Sequence, residues 1–305
     1  MVDNITVSEN NDENIVSSSS VENIYLPSGK ALSPVEAYSI TASEKSKFVV
    51  LLGAAGSGKT AICTSIYNHF LEGKFEDKYY FAGSKTLATF EECAYLTRPV
   101  SGRNLPAHDR TKKGTQSILH IRINEPLKNS HMNCLIADFS GEDYQNVICD
   151  IDYAKDEFQI LRSAALLMVV IDGEKICKAS TRMAEIQQSI SLLRTFLDAN
   201  IISNNVPVII VVSKFDLVQK AEITNWDNLI MDKFCDQLPL LQKNFTVKEV
   251  APLSEHTDLI KVGYGIKTLF DEMLKLKIKI STNINMPNTE SQFEIWGKKA
   301  SLDDN

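Results

Sequence analysis

Residues 47–66, KFVVLLGAAGSGKTAICTSI, run from an apolar stretch into a glycine-rich segment and then into a sequence with helical spacing. The eight residues 53–60 match the pattern G-x-x-x-x-G-K-[ST] of phosphate-binding loops. Glycines in such a loop let backbone N–H groups turn toward phosphate oxygens, and the start of a helix adds a favourable dipole. Because the match lies between a strand and a helix, it predicts a phosphate-binding loop rather than a glycine-rich turn without a ligand.

Individual positions of this loop have expected roles. Lys59 is expected to reach the β- and γ-phosphates and to act in catalysis, and the Thr60 hydroxyl is expected to coordinate Mg²⁺. The backbone of the whole loop should contact the phosphates. The predicted set ends at Thr60, and position 61 is omitted from it. The predicted phosphate-binding residues are Gly53, Ala54, Ala55, Gly56, Ser57, Gly58, Lys59 and Thr60.

Composition excludes several classes of protein. The chain has 305 residues, of which 44% are hydrophobic, and this allows one large domain with a substantial core. The net charge is -7 and no long run of Lys and Arg occurs, so no nucleic-acid partner is expected. The six cysteines form no C-x-x-C pair, so neither a zinc site nor a disulfide framework is expected. The polar, acidic N-terminal sequence and the lack of an apolar run near 20 residues predict a cytoplasmic protein without a membrane partner.

Apolar stretches alternate with stretches of helical spacing from residue 47 onward. Several apolar runs are continuous, as expected for strands covered by helices on both faces of a parallel sheet. The pattern predicts an α/β fold with a doubly wound, mostly parallel sheet, whose ligands bind at the carboxyl ends of the strands. The predicted strands are 47–52, 117–123, 133–138, 164–172, 206–212 and 247–251, and the predicted helices are 154–163, 179–199, 224–237 and one that begins near Ile266.

A candidate base-recognition motif follows the fifth predicted strand. Residues 213–216, SKFD, match [NST]-K-x-D, in which the Asp carboxylate accepts hydrogen bonds from the N1–H and the amine of guanine, while the Lys stem covers the base. Adenine lacks this pair of donors and would leave the carboxylate unpaired. The predicted base-contacting residues are Ser213, Lys214, Asp216, Leu217 and Ser254.

By itself this motif is weak, because a solvated charged turn can carry the same residues. Its position strengthens it, since Asp138 and Gly141 follow the third predicted strand and residues 251–254 follow the sixth. All these segments fall at carboxyl ends of strands, where one ligand can contact them together. Asp138 is expected to hold Mg²⁺ through water, and the Gly141 N–H is expected to contact the γ-phosphate. The predicted ligands are therefore GTP or GDP, with Mg²⁺.

FAGSKTL (81–87) and FEECAYLTR (90–98) are two of several further stretches with a recognisable pattern. These stretches resemble the bacterial double-GTPase family, which belongs to the TRAFAC class and has a Ras-like core. The phosphate-binding loop is a general motif, whereas FAGSKTL followed by FEECAYLTR is much more specific to this family. The resemblance covers roughly residues 24 to 280. It implies a P-loop NTPase fold with a Ras-like G domain, and a GTP-dependent switch that acts with a protein effector or activator, with antiviral or conflict signalling as a role. The stretches that carry the resemblance are 26–42, 79–98, Arg110-Thr111 and 138–143.

The sequence also predicts the organisation of the chain. Residues 1–22 are expected to be a flexible tail, residues 23–280 a G domain with an N-terminal extension and an insertion before switch I, and residues 281–305 a polar tail. Within the insertion, residues 79–98 are either a packing helix or a partner surface beside switch I. The apolar tetrapeptide FEIW (293–296) in the C-terminal tail is either a short docking segment or an accidental apolar spot.

Two threonines are candidates for the switch I ligand of Mg²⁺. The family resemblance favours Thr111, while closeness to the next strand favours Thr115. Arg110, in the same segment, is a candidate for stabilising the transition-state charge in cis, and a surface ion pair is the alternative. All three residues are predicted to lie in switch I.

Hydrolysis is expected to be slow. Ras-type GTPases orient the attacking water with Gln at the position of Glu142, and a carboxylate there can act as a base but places negative charge near the γ-phosphate. Ala55 stands where Ras-type switches have glycine and where an activating arginine from a partner passes closely. The expectation is slow hydrolysis of GTP to GDP, and the alternative is a GTP-binding scaffold or sensor that does not hydrolyse. No oligomeric state is indicated.

Overall fold

The computed structural model describes residues 27–75, 78–95, 97–98 and 116–277. The strands in these ranges form one seven-stranded sheet. They are β1 (Ser46–Leu52), β2 (Tyr80–Gly83), β3 (Gln116–Glu125), β4 (Ser130–Phe139), β5 (Leu166–Asp172), β6 (Val208–Ser213) and β7 (Phe245–Glu249). Their order across the sheet is β2-β3-β4-β1-β5-β6-β7.

Five neighbouring strands of the sheet pair in parallel. Strands β4, β1, β5, β6 and β7 form the parallel part, and β3 and β2 extend it by antiparallel pairing. Leu51 at the end of β1 lies beside Asp138 at the end of β4, and Asp172 of β5 lies beside Ser213 of β6. The register therefore brings the polar residues that follow these strands to one edge of the sheet.

Helices cover both faces of the sheet. None of the helices in the described ranges is long and apolar enough to cross a membrane. The helices are α1 (Pro34–Ser43), α2 (Lys59–Leu71), α3 (Leu87–Tyr95), α4 (Gly141–Cys149), α5 (Ile151–Glu157), α6 (Gly173–Cys177), α7 (Ala179–Asp198), α8 (Phe215–Lys220), α9 (Trp226–Gln237) and α10 (Ile266–Lys275), with short 3-10 helices at Pro126–Lys128, Gln159–Ser163 and Pro239–Asn244.

The two faces of the sheet have separate hydrophobic cores. Along β1, Phe48, Val50 and Leu52 point into one core, and Val49 and Leu51 point into the other, because successive side chains of a strand face opposite sides. The first core lies under α1, α4, α5, α7 and α9, and the second lies under α2, α3 and α10. This arrangement confirms the predicted α/β fold with a doubly wound, mostly parallel sheet, and it explains the continuous apolar runs of the central strands.

The segment before β1 packs onto the domain. Ser33 caps α1 by accepting a hydrogen bond from Glu36 N, and the Glu36 carboxylate accepts one from Ser33 N. Both backbone N–H groups, which have no acceptor within the helix, are thereby hydrogen-bonded. Leu32 N donates to Ile118 O of β3 at 2.9 Å, and Ile40 is buried in the first core. This part of the predicted N-terminal extension therefore contributes to the core, while the domain boundaries at residues 22 and 280 stay predictions.

Residues 79–98 form both a strand and a helix, where the sequence suggested a helix alone. The strand β2 was missed because it is only four residues long, which is too short for a clear period, and its side chains are largely exposed. The helix α3 packs on α2, with Phe90 stacked on Tyr67 at 4.8 Å between ring centroids. A packing role for α3 is thus observed, and a partner surface in this segment stays a prediction.

Several other predicted elements differ from the structure at their ends. The predicted helix 154–163 is divided into α5 and a 3-10 helix, and α5 begins earlier because Asp150 caps it through hydrogen bonds from Asp152 N and Tyr153 N. The last strand ends before residue 250, because Ala251 pairs with Tyr264 instead of with β6. Strands β3 and β4 are longer than predicted, since they form one hairpin.

The aromatic packing between α10 and α2 is expected to contribute strongly to stability. The fully buried Phe270 ring contacts Phe70, Phe75 and Tyr79 at 4.8 to 5.7 Å between centroids. We expect Phe270→Ala to lower the free energy of unfolding by about 3–5 kcal/mol, because it leaves a cavity in the second core. Urea denaturation followed by circular dichroism measures the change. The exposed Leu240→Ala should change it by less than about 0.5 kcal/mol, and a similarly small effect of Phe270→Ala would contradict the assignment.

Candidate nucleotide-binding site

The loop between β1 and α2 has the backbone form of an anion-binding loop. Gly58 is the N-cap residue of α2 and has a φ of 94°, a left-handed conformation that favours glycine. Gly58 has no side chain that could cap the helix, so this N-cap residue leaves the first backbone N–H groups without the usual side-chain acceptor. An uncapped helix start with its N–H groups and positive dipole end is suited to a phosphate group. The structure thus supports the predicted position of this loop, although no described contact identifies its ligand.

Lys59 is buried beneath this loop with 6% of its surface exposed. Its Nζ donates hydrogen bonds to Gly53 O at 2.8 Å and to Ala54 O at 3.0 Å. Burial lowers the pKa of the Lys59 ammonium, and the Asp138 carboxylate opposes this shift. The ammonium is therefore held inside the loop by carbonyl oxygens, at the place where the loop would surround phosphate oxygens.

Tyr144 is a component of this site that motif analysis did not identify. The Lys59 Nζ lies 5.7 Å from the centroid of the Tyr144 ring, a cation–π distance. The Tyr144 hydroxyl donates to Leu51 O at 2.6 Å, and the side chain is almost completely buried. The ring thus forms part of the wall around the ammonium. The only sequence signal was its place one turn into the helix after DFSGED.

Thr60 and Asp138 form a pair of oxygen ligands next to the loop. Thr60 Oγ1 donates to Asp138 Oδ2 at 2.6 Å. Burial raises the pKa of the Asp138 carboxyl, while the charge of Lys59 and the hydrogen bond from Thr60 lower it. Asp138 Oδ1 is buried and has no hydrogen-bond partner among the described residues. A hydroxyl and a carboxylate with one free buried oxygen fit a small, hard cation such as Mg²⁺, which prefers oxygen ligands.

The residue after Thr60 has no part in this pair. Position 61, which the predicted phosphate-binding set omits, is occupied by Ala61 and not by a threonine. The Ala61 side chain is buried in α2 and carries no oxygen that could bind a phosphate or a cation. Of these two residues at the start of α2, Thr60 is therefore the one whose hydroxyl can bind a cation.

Gly141 lies directly against the backbone of the phosphate-binding loop. A Cβ atom at this position would be 2.1 Å from Ala55 N and 2.5 Å from the carbonyl carbon of Ala54. Side chains do not approach backbone atoms so closely, so only glycine fits here without movement of the loop. The first residue of α4 therefore touches the loop, and this agrees with its predicted place beside the phosphates. Its contact with the γ-phosphate stays a prediction.

Ser213 connects the base-recognition motif to the same loop. Its Oγ lies 2.6 Å from Ser57 O and 3.2 Å from Ile171 O, and its single hydrogen can be donated to either. The side chain is buried. The hydroxyl of Ser57 is also buried and has no hydrogen-bond partner in the described part of the chain. The Ser213 side chain thus holds the end of β6 against the phosphate-binding loop. This closeness is necessary if one ligand is to contact both the loop and the base-recognition motif.

The ammonium of Lys214 is anchored by acidic residues that follow β5. Its Nζ donates to Asp172 Oδ2 at 2.9 Å and lies 3.5 Å from Glu174 Oε2. Asp172 is buried and also caps α6 by accepting from Glu174 N. These contacts fix the end of the Lys214 side chain, so that its stem has a defined path. The sequence alone gave Asp172 no role, since the contact joins positions 42 residues apart.

Asp216 points its carboxylate into the loop after β7. Its Oδ2 accepts hydrogen bonds from Glu255 N at 2.9 Å and His256 N at 3.3 Å. Its Oδ1 is buried and, within the described ranges, has no hydrogen-bond partner. Ser254 in the same loop is buried, and its hydroxyl likewise lacks a described partner. A buried carboxylate oxygen without a described partner indicates a position for a ligand with hydrogen-bond donors.

The remaining predicted residues are less closely placed or lie outside the described residues. Leu217 is half-buried in α8 next to Asp216, with its N–H donating to Lys214 O. Glu142 lies in the first turn of α4 with its side chain exposed, and no described contact joins it to the loop. Arg110, Thr111 and Thr115 lie outside the described residues, so their predicted roles in switch I stay predictions.

A profile of the family described as Double-GTPase 2 matches residues 47–274, well over half of the chain. The chain belongs to the Double-GTPase 2 family. This membership confirms the resemblance to double GTPases that residues 79–98 and 138–143 indicated. The matched range includes every site residue that the structure describes.

Other comparisons give little further information. No curated protein is significantly similar in sequence. One similar solved structure is the crystal structure of the bacterial selenocysteine-specific elongation factor EF-Sec, with 16% sequence identity and a TM-score of 0.39. That match covers 76% of this chain and 29% of the elongation factor, so this chain spans less than a third of that protein's length.

The contact between Gly141 and the loop predicts a large effect of adding one methyl group. Gly141→Ala should lower the affinity for nucleotide at least about tenfold, or ~1.4 kcal/mol, because the new Cβ would displace the backbone at Ala54 and Ala55. Titration with a fluorescent GDP analogue measures the affinity. Gln145→Ala, an exposed substitution on the same helix, is the matched control and should bind like the parent. A well-folded Gly141→Ala protein with unchanged affinity would show that this contact does not shape the loop.

Proposed function

We propose that this protein is a guanine-nucleotide switch that binds Mg-GTP and hydrolyses it to GDP. The observation that carries the proposal is the buried, unpaired Oδ1 of Asp216 on the same sheet edge as the phosphate-binding loop, to which Ser213 is hydrogen-bonded. Membership of the Double-GTPase 2 family supports GTP binding and hydrolysis in general.

Guanine satisfies this pocket better than adenine does. Asp216 already accepts two backbone N–H groups on Oδ2, and its second oxygen remains available for donors on a ligand. Guanine offers two adjacent donors, N1–H and the exocyclic amine, whereas adenine has an acceptor at N1. A buried carboxylate oxygen left without a donor costs about 1–3 kcal/mol or more, and this penalty would select against ATP. Lys214, held at its end by Asp172, would place its stem along the base.

The phosphates and the metal would be held on the other side of the site. The loop backbone and Lys59 would bind the β- and γ-phosphates, and Thr60, Asp138 and either Thr111 or Thr115 would hold Mg²⁺. When bound, Mg²⁺ neutralises charge that develops on the phosphate oxygens. Lys59 is already positioned within the loop, so little reorganisation of its side chain would be needed.

Hydrolysis would be slow without a partner. Glu142 is exposed, and its carboxylate would add negative charge on the side of the γ-phosphate. Ala55 carries a methyl group at the point where Gly141 already touches the loop, which leaves little room for an activating arginine supplied in the Ras manner. We assign that role to Arg110 in cis, as a stabiliser of charge in the transition state.

The nucleotide state would be transmitted to other proteins. Switch segments of GTPases become ordered around the γ-phosphate and relax after hydrolysis, and this changes the surface that a partner contacts. Here α4 begins at Gly141, in direct contact with the loop, so the helix is suited to respond to the phosphates. We extend the proposal to a protein effector or activator and to bacterial antiviral or conflict signalling, which the family resemblance suggests.

A base-exchange experiment tests the proposed recognition by Asp216. Asp216→Asn should lower the affinity for GTP roughly ten- to a hundredfold, because the amide presents an N–H to the amine of guanine. The same variant should gain affinity for xanthosine triphosphate, whose 2-carbonyl accepts that N–H. Competition against a fluorescent guanine nucleotide measures both affinities.

The exposed Asp227→Asn is the matched control for this experiment and should behave like the parent protein. Loss of GTP binding with a gain of xanthosine triphosphate separates base recognition from unfolding. Tighter binding of ATP than of GTP by the parent protein would overturn the assignment of guanine.

A single-turnover assay with radiolabelled GTP and Mg²⁺ tests hydrolysis. We expect slow phosphate release by the parent protein and none by Lys59→Ala. Glu142→Gln should release phosphate faster, because it removes negative charge, while Glu222→Gln at another exposed position should not. Arg110→Ala should release it more slowly with little change in GDP affinity.

Retention of GTP without phosphate release would favour the alternative of a GTP-binding scaffold or sensor. Equal rates for Arg110→Ala and the parent would remove Arg110 from the mechanism. The base-exchange result does not depend on these rates. The proposal on base recognition and the proposal on hydrolysis can therefore be contradicted independently.

A further inference from the structure

An aromatic cleft lies at the edge of the sheet, away from the nucleotide-binding edge. It has a cavity volume of about 220 Å³ and lies where α2 ends and β2 begins. This volume is below the roughly 300–1,000 Å³ of small-molecule sites, and it suits one or two side chains of a peptide. The residues that line it are Phe70, Gly73, Phe75, Tyr79, Tyr80 and Phe81.

The floor and the rim of the cleft differ in exposure. Phe70, Phe75 and Tyr79 are buried and packed against Phe270 of α10, so the floor is rigid. On the rim, Tyr80 has 47% and Phe81 36% of its surface exposed. Successive side chains of a strand face opposite sides, and Phe81 is the one that lies beside the floor, with its ring centroid 6.1 Å from that of Phe70. A partly exposed aromatic side chain beside an aromatic floor indicates a binding surface for another apolar group.

The backbone of β2 is also available for a further contact. In the described part of the sheet β2 is the terminal strand, and it pairs only with β3. The outer edge of such a strand presents N–H and C=O groups that an extended segment can pair with. An extended apolar segment lying along β2 would satisfy this edge and cover the cleft at the same time.

The chain itself supplies such a segment close by. Helix α10 ends at Lys275, about one and a half turns after Phe270, which packs on the floor of the cleft. In addition, Lys78 forms an ion pair with Asp271, so α10 is fixed beside the β2 side of the domain. The last described helix ends near the start of β1, where Lys47 Nζ donates to Leu274 O and Leu276 O, on the same face of the sheet as the cleft. The sequence continues for 28 residues beyond Lys277.

The sequence of this C-terminal tail has one suitable group of residues. FEIW at 293–296 contains both aromatic residues of the last 28, and its neighbours are mainly Asn, Ser, Thr, Gln and Lys. Phe293 follows Lys277 by 16 positions. This spacing corresponds to a typical reach of roughly 20–24 Å and a maximum of about 50–58 Å. A tether of this length gives an effective concentration in the mM range, so even weak docking would be well populated.

We propose that residues 293–296 of the same chain dock in the aromatic cleft beside β2, with Phe293 and Trp296 as the anchoring side chains. The occupant is a peptide segment with aromatic side chains, which the aromatic floor and the open strand edge both favour. The proposal is independent of nucleotide binding, because none of the cleft residues belongs to the nucleotide site.

The fluorescence of Trp296 tests this proposal in the full-length chain. The protein has two tryptophans, so Trp226→Phe leaves Trp296 as the single reporter. We expect a blue-shifted emission and acrylamide quenching several-fold weaker than in denaturant, because the ring would be shielded in the cleft. In the same background, Phe81→Glu on the rim should raise quenching toward the denatured value. Leu240→Glu, an equally drastic change at an exposed position on the other side of the sheet, should not.

A second variant on the tail covers the case in which Phe81→Glu disturbs the fold. Phe293→Ser changes the proposed anchor itself and should also release Trp296, with the circular dichroism spectrum and thermal melting unchanged. Free quenching of Trp296 in the reporter protein would overturn the proposal. Protection that is insensitive to Phe81→Glu in a folded protein would place the segment elsewhere. Protection that increases with protein concentration would make the occupant the tail of a second copy instead.

Discussion

A buried positive charge organises the nucleotide edge of this domain. The Lys59 ammonium lies beneath the loop that follows β1, and burying a cation is costly unless polar groups surround it. The carbonyl oxygens of Gly53 and Ala54 accept its hydrogen bonds, the Asp138 carboxylate supplies opposite charge, and the Tyr144 ring lies beside it. The loop, the end of β4 and the start of α4 must therefore meet around one atom, and this requirement fixes the geometry of the phosphate side of the site.

The base side depends on the phosphate side through side-chain contacts at the ends of the strands. Ser213 donates to the loop backbone, and the next residue, Lys214, is fixed by Asp172 of the neighbouring strand. These contacts are short because β5 and β6 pair in a register that sets Asp172 beside Ser213. The parallel backbone pairing of β5 with β6 sets that register, and the side chains of both strands pack into the two cores.

The parts of the molecule that the sequence predicted are those with a strong local signal. Apolar runs identified six of the seven strands, and spaced motifs identified the loop, Asp138 and Asp216 at strand ends. The strand β2 gave no clear signal, because four residues at the edge of a sheet, with largely exposed side chains, are too few to show a period. Tyr144 and Asp172 were missed for another reason: their contacts, with Leu51 and Lys214, join segments far apart in the chain and follow no periodic pattern.

Helix α2 shows why the two ends of one element carry different chemistry. Its first turn must leave N–H groups free to face an anion, so small residues precede it and Gly58 stands at its N-cap position. The opposite end has no such requirement, and there Phe70 packs with Phe75 and Phe270. Aromatic side chains packed on the phosphate end of α2 would cover the anion site. At the far end, aromatic packing holds α2 against α10. The direction of a single helix thus separates the polar nucleotide edge from the aromatic cleft.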